Sequence, residues 1–525
     1  MASLINLLTN GYFPRELPPP FKTATFANYA TGAAAGWAPA ARTAWTKCVS
    51  HNLGRAGGLR RPLKIPNPVS FVPLAEVIAN NWRAIYSHTW KVRLSASRPL
   101  LKPSTGRAVV ARYLLRELPR LRTLRRRGCR YLIRADIGQF YPSIYTHAVP
   151  WALHTKAACK ANLRLPRAHR VALFGEELDL SLRNMNEGQS VGIPIGPDTS
   201  LVIAEILLAA IDDALISQYS NLIRGFRHVD DYELSFVNLS QAERVLTTLQ
   251  GLLAEYELFL NPRKTELCEL PVPLEDNWSI DIRTFEIRDT SATAQRNDIT
   301  ALFSKALEIA LQRPNDSVLR YAVGRVSDIN VRPGAWRTFQ NCLLTAATAD
   351  PSTLAAVLGT LYQVGAKGGH VVARFPLAEV FEKLISVHAP RGQGSEVAWA
   401  LWGALAWNVS LSDEAARLVS EMEDDVVALL SLHAHAEFLF PPASLNTAKW
   451  TNLVNQPDVL RGEHWLLAYE ADRQGWLPTP VIAADPIFAA MTVAGVSFYD
   501  VTEAVPQFPA GGRGIPGGNL PHYYA

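Results

Sequence analysis

The sequence predicts an α+β first half, built of short strands and helices, followed by an all-α second half of repeated helices. Three observations carry that expectation. From Arg130 the chain changes from a Pro-punctuated mixture into a short strand pattern that ends on Asp136. Two further strand patterns meet at a tight turn around Asp230-Asp231. Beyond about Pro271, Ala/Leu-rich stretches of helical period are separated by Pro and Gly breakers.

Taken in order, residues 1–129 form an N-terminal segment, with Pro18-Pro19-Pro20 marking an irregular start. Residues 131–135 (Tyr-Leu-Ile-Arg-Ala) read as a buried strand, 147–161 as a helix, and 199–215 as a strongly apolar helix. Residues 222–236 read as a hairpin. Residues 241–256 have helical period, with Val245, Leu246, Leu249, Leu252 and Leu253 on one face. Together 130–270 make a second unit. In the third, 271–504, helices are expected near 299–312, 336–347, 353–364, 376–387, 396–408 and 413–433. Short turns between them suit a helical array, whereas the lack of a strict repeat suits an irregular bundle. The Gly/Pro-rich tail, 505–525, is expected to be flexible.

Bulk properties set limits. At 525 residues the chain exceeds what one core organises, so two or three domains are expected. Net charge is only +5, but Arg is dense between Lys102 and Arg134, with Glu117 the one acid. That stripe either neutralises phosphates or is a solvated helix face. Five scattered cysteines without a Cys-x-x-Cys pair argue against disulfides and structural zinc. No signal peptide is apparent, and apolar runs are too short for a bilayer. A soluble protein of the cytoplasm is expected, with no membrane partner.

The chemistry concentrates on Asp136 and the Val229-Asp230-Asp231 turn. Joining nucleotides takes two divalent ions about 3.5–4 Å apart, held by carboxylates because magnesium prefers hard oxygen ligands. An acid at a strand end and others at an adjacent hairpin can converge on one point. Asp212-Asp213, another such pair, reads as the end of a helix.

Four motifs occur in order. Asp136-Ile137-Gly138-Gln139-Phe140-Tyr141-Pro142-Ser143 resembles motif A of reverse transcriptases, and Gly188-Gln189-Ser190-Val191-Gly192-Ile193-Pro194-Ile195-Gly196-Pro197-Asp198 resembles motif B. Phe226-Arg227-His228-Val229-Asp230-Asp231 resembles motif C, and Leu260-Asn261-Pro262-Arg263-Lys264 motif D. The wording around Tyr141 and Ile193 is similar to the bacterial abortive-infection and defence-associated reverse transcriptases, AbiK-like proteins among them. The resemblance implies right-hand polymerase fingers and a palm of the reverse-transcriptase fold, then a helical-repeat domain in place of a thumb. It further implies a bacterial cytoplasmic DNA polymerase that takes dNTPs, acts in antiphage abortive infection and assembles as a homo-oligomer.

Position by position, the resemblance makes Asp136 and Asp230 the principal metal ligands, with Asp231 beside them and the Ile137 carbonyl completing the set for magnesium or manganese. Tyr141, next to Phe140, becomes a steric gate against a ribose 2′-hydroxyl. Lys264 neutralises or protonates the departing pyrophosphate. Gly196 lets the backbone approach the nucleotide. Cations for the triphosphate are sought among Lys91, Arg93, Lys102 and Arg107.

His228 and Ile195 depart from the usual residues, and Ile195 fits either a weakened template grip or drift. His147, Trp151 and His154 share a helical face by spacing, better suited to packing or template contact than to metal. Template-independent synthesis from a tyrosine hydroxyl, leaving the DNA product attached to the protein, is also implied, with Tyr12, Tyr29, Tyr523 and Tyr524 as accessible candidates. The alternatives are templated copying of a companion RNA and a non-catalytic scaffold.

Overall fold

A computed structural model describes residues 3–37, 43–101, 106–219 and 223–504. Lys102 and the tail tyrosines Tyr523 and Tyr524 lie outside the described residues.

The N-terminal segment is more ordered than its prolines suggest. A hairpin of β1 (Val49–Gly54) and β2 (Arg60–Ile65) follows two short helices, and β3 (Pro99–Leu100) pairs with β4 (Val110–Ala111). The central sheet is antiparallel, with β5 (Tyr131–Asp136), β6 (Arg224–His228), β7 (Asp231–Phe236) and β8 (Glu266–Glu269) in the order β6-β7-β5-β8. Its two faces differ as alternation demands. Ile133, Ala135, Tyr232, Leu234 and Phe236 are buried under helix Leu239–Glu255 and the long helix Asp198–Tyr219. The other face carries Arg134, Asp136, Asp231, Glu233 and Glu266 and floors a cavity of about 660 Å³.

Several expected elements differ in detail. The helix expected over 147–161 is two helices, Ala148–His154 and Lys156–Arg164, because Thr155 at φ +68° breaks the first and its hydroxyl caps the second. The one expected over 413–433 is likewise split into Asp413–Ser420 and Asp425–Ala436. There Asp424 accepts from the N–H groups of Val426 and Val427 and so starts a new helix. Asp212 does not end a helix: it lies inside Asp198–Tyr219 and is 1% exposed.

Beyond 290 the helices form two layers. Ala292–Gln312, Pro333–Ala349 and Arg374–His388 pack in succession in one, and Leu354–Gly368, Gly394–Trp407, Asp425–Ala436 and Trp465–Arg473 in the other. The far end of this array returns to the N-terminal segment. Phe21 bridges Tyr499, Lys22 N–H donates to the Phe498 carbonyl at 3.0 Å, and His51 Nδ1 meets Asp424 at 2.9 Å. The second half is thus tied to both ends of the α+β half. Among the described residues no helix is long and apolar enough to cross a membrane.

Candidate active site

Strand register brings the acids together. Asp136, the last residue of β5, stands directly opposite Asp231, the first of β7. Residues so paired have Cβ atoms about 4.5–5.5 Å apart, and like charges there repel. Asp230 occupies the turn, and its carbonyl accepts from Ile137 N–H at 3.2 Å. Asp231 therefore belongs to the strand, and the turn itself is Val229-Asp230. Val229 adopts φ +53°, a costly left-handed conformation for a β-branched side chain. Two bonds hold it there: its N–H donates to Ser97 Oγ and its carbonyl accepts from Arg227 Nη1, both at 2.7 Å.

The electrostatics follow from this crowding. Burial first, then the neighbouring Asp136, pushes Asp230 up to about 6, opposed by Lys264 and Arg61. Asp231 keeps solvent contact, yet the surrounding protein and then Asp230 and Asp136 push it up to about 7. Lys264 Nζ donates to Asp136 Oδ2 at 3.0 Å and Asn261 Nδ2 to Oδ1 at 3.3 Å, while Asn261 N–H donates to the Asp136 carbonyl at 2.7 Å. Among the described residues no three His, Cys, Asp or Glu side chains stand ready together to hold a metal ion. The donor chemistry nevertheless suits a hard divalent cation. What fills the place of positive charge is the Lys264 ammonium, on a side chain 65% exposed.

Motif B is laced to motif A. Ile193 N–H donates to the Tyr141 carbonyl at 3.0 Å and Gly192 N–H to that of Ile144 at 2.8 Å. Tyr141, with its neighbour Phe140, is buried; it borders a small cavity of about 50 Å³ with Gly196, Arg107 and Val229. Gly196 has φ +134°, and an added Cβ would stand 2.5 Å from Pro14 Cγ. Arg107 is held by Asp198, its Nε donating to Oδ1 at 3.0 Å, and Lys91 pairs with Asp213 at 2.5 Å; Arg93 is exposed. Tyr12 is not accessible, since it is fully buried, stacks on Phe71 at 4.2 Å and donates to the Pro66 carbonyl. Tyr29 is half-buried. His147 meets Asp179 at 2.9 Å and Ser190 at 3.2 Å, whereas His154 accepts from Gly175 N–H, so the two turn to different partners. Much of the arginine stripe is tied down, Arg122 and Arg126 both pairing with Glu233.

Sequence reasoning missed the frame beneath the turn. Arg227, fully buried, bonds Glu205 at 2.9 Å and Asp212 at 2.8 Å. Ser95 and Ser97 also donate to Glu205, and the Tyr232 hydroxyl to Asp212. The signal available was Glu205 in an apolar helical run and Arg227 in a buried strand, since buried charges require partners.

No protein-family model matches the chain, and no curated protein does. Among solved structures it is similar to apo telomerase from Candida tropicalis, at 13% identity over 77% of this chain and 73% of that one, with a TM-score of 0.34. Telomerases in complex with a TWJ fragment of telomeric RNA are also similar. For Candida albicans the identity is 12%, over 68% of this chain and 66% of that one, with a TM-score of 0.29. For Candida tropicalis it is 12%, over 74% and 64%, with a TM-score of 0.31. In both complexes the chain spans just under two thirds of the telomerase.

Proposed function

We propose that the chain is a nucleotidyl-transferring polymerase of the reverse-transcriptase type, which extends a hydroxyl with dNTPs. One observation carries the reading: Asp136 and Asp231 face each other across paired strands with Asp230 in the adjoining turn. Folding otherwise avoids such a concentration of negative charge, so its retention points to cation chemistry. Asp136, Asp230, Asp231 and the Ile137 carbonyl would hold magnesium, or manganese, which would neutralise charge on the attacking oxygen and the leaving pyrophosphate. The residues of the chain do the rest. Lys264 balances the acids before substrate arrives and the pyrophosphate afterwards. Tyr141 fills the space beside Gly196 and Val229 that a 2′-hydroxyl would need. The Arg227 frame fixes the turn.

Within that reading we favour untemplated synthesis primed by a tyrosine, in a bacterial antiphage role and a homo-oligomeric assembly, on the motif wording alone. Of the described candidates, Tyr29 remains and Tyr12 drops out. The test is incubation of the purified chain with labelled dNTP and magnesium, with and without RNase treatment, followed by denaturation. Label that stays with the protein and survives RNase supports self-primed, untemplated synthesis. Label only in free DNA removes protein priming, and no incorporation at all removes the polymerase.

A further inference from the structure

From Val77 to Arg116 the sequence has no Asp or Glu but many Lys and Arg. Two of these arginines are forced together. β3 and β4 pair Pro99 with Ala111, so the next position sets Arg98 opposite Arg112, and Arg112 N–H donates to the Arg98 carbonyl at 3.0 Å. Both guanidiniums lie against Trp90, at 4.2 and 5.0 Å from its ring centre, and Tyr86 stacks on the same indole at 4.9 Å.

Arg98 is 4% exposed, and its Nε meets no acceptor among the described residues. Neither arginine has an ion pair there. The carboxylate that acts on Arg98, Glu205, is already engaged by Arg227, Ser95 and Ser97. Burial, and then Arg112, lowers the Arg98 pKa from its ordinary value. A buried cation facing another cation is costly unless something negative arrives. The indole lies against both guanidinium carbons, and a guanidinium carries a fork of donors that matches a phosphate.

The position is informative. Residues 94–98 run beside β6, with Ser95 bridging Arg227 and Ser97 holding the Val229 N–H of the acid turn. Tyr113, next to Arg112, donates its N–H to the Ala96 carbonyl at 2.9 Å. The arginines therefore flank the turn that bears Asp230, on the side away from Lys264 and β8. We propose that Arg98 and Arg112, with Arg93 at the rim, form a phosphate cradle for the strand whose end is extended at Asp230. This rests on the polymerase reading for the identity of the strand.

The test uses the full chain carrying Asp230→Asn, so that binding is separated from turnover, and a short fluorescein-labelled single-stranded oligonucleotide read by anisotropy over a salt series. Arg98→Gln and Arg112→Gln should each weaken binding about tenfold, the worth of a charge-assisted hydrogen bond. Each should also reduce the slope of log affinity against log salt by about 0.7. Without nucleic acid, Arg98→Gln should melt no lower than its parent, because an unpaired buried charge has gone. A purely structural Arg98 predicts the reverse, a lower melting point with unchanged affinity, and that result overturns the cradle. So does a parent chain that binds no oligonucleotide. Should Arg98→Gln fail to fold, the half-buried Arg112 decides through its affinity and salt slope. Weakened binding in these variants, with no dNTP incorporation by the unmutated chain, keeps the cradle and removes the polymerase; incorporation with unchanged binding does the opposite.

Discussion

Two of the three Asp-Asp pairs of this chain, 212–213 and 230–231, lie within twenty residues of each other and have opposite fates. Asp212 is buried in a helix and answered in full by Arg227 and the Tyr232 hydroxyl, while its neighbour Asp213 pairs with Lys91 at the surface. Asp230 and Asp231 stand in a cleft with a third acid, Asp136, answered by Lys264 and, at Asp230, by Arg61, yet both remain raised. The first pair spends its charge on structure. The second leaves charge uncompensated, the condition under which a carboxylate can take up a cation and do chemistry. The pairs are also connected, because Arg227 bonds Asp212 through Nε and Nη2 and the Val229 carbonyl through Nη1.

That contrast predicts different losses. Asp230→Asn should lower dNTP incorporation by about a thousandfold or more, the equivalent of about 4 kcal/mol of lost charge stabilisation, with no fall in melting temperature. Retained incorporation breaks the comparison at once. Asp212→Asn should act the other way, costing about 3–5 kcal/mol of stability because the buried Arg227 loses a partner. Urea titration reads this, and a stability change under 1 kcal/mol on that scale would place Asp212 among the solvated pairs after all.

Tyr141→Ala tests the next wall of the cleft. It should raise incorporation of ribonucleotides relative to deoxyribonucleotides by about a hundredfold in paired primer-extension or self-labelling assays, the scale of a steric pocket's discrimination. An unchanged ratio would mean that the ring does not meet the sugar.

The smallest effect is a pH dependence, whose sign follows from the raised carboxyls. Asp230 and Asp231 titrate at about 6 and about 7 in the fold against an ordinary 3.8, so each binds its proton more tightly folded than unfolded. Their contribution to stability is full below about pH 4 and is lost as pH rises through 6 and 7. In chelator, the unmutated chain should therefore lose melting temperature over that window relative to Asp231→Asn, which cannot ionise. Magnesium should restore the lost melting temperature above pH 7 and so close the gap. Parallel melting curves would show that the acids do not sense one another.

Much of the site was legible because its logic is local. A strand that ends in Asp136 and a hairpin with acids at its turn are patterns of a few residues, set by alternation and turn chemistry. The helices beyond Pro271 were legible for the same reason, their period and breakers being local too. Where the reading failed, a tertiary partner had intervened. Asp212 looked like a helix end until Arg227 met it, and Asp424 split an expected helix while also bonding His51 from the other half of the chain. Tyr12 looked accessible near the start of the chain and proved to be core, stacked on Phe71.

By itself, then, the sequence determined which residues could do chemistry: the carboxylates, their order, and the strand and turn beneath each. Only the tertiary structure decided which charges remain free to do it. Free charge is a property of what stands within a few ångströms, and those neighbours come from residues scores of positions away: Arg107 for Asp198 and Lys264 for Asp136.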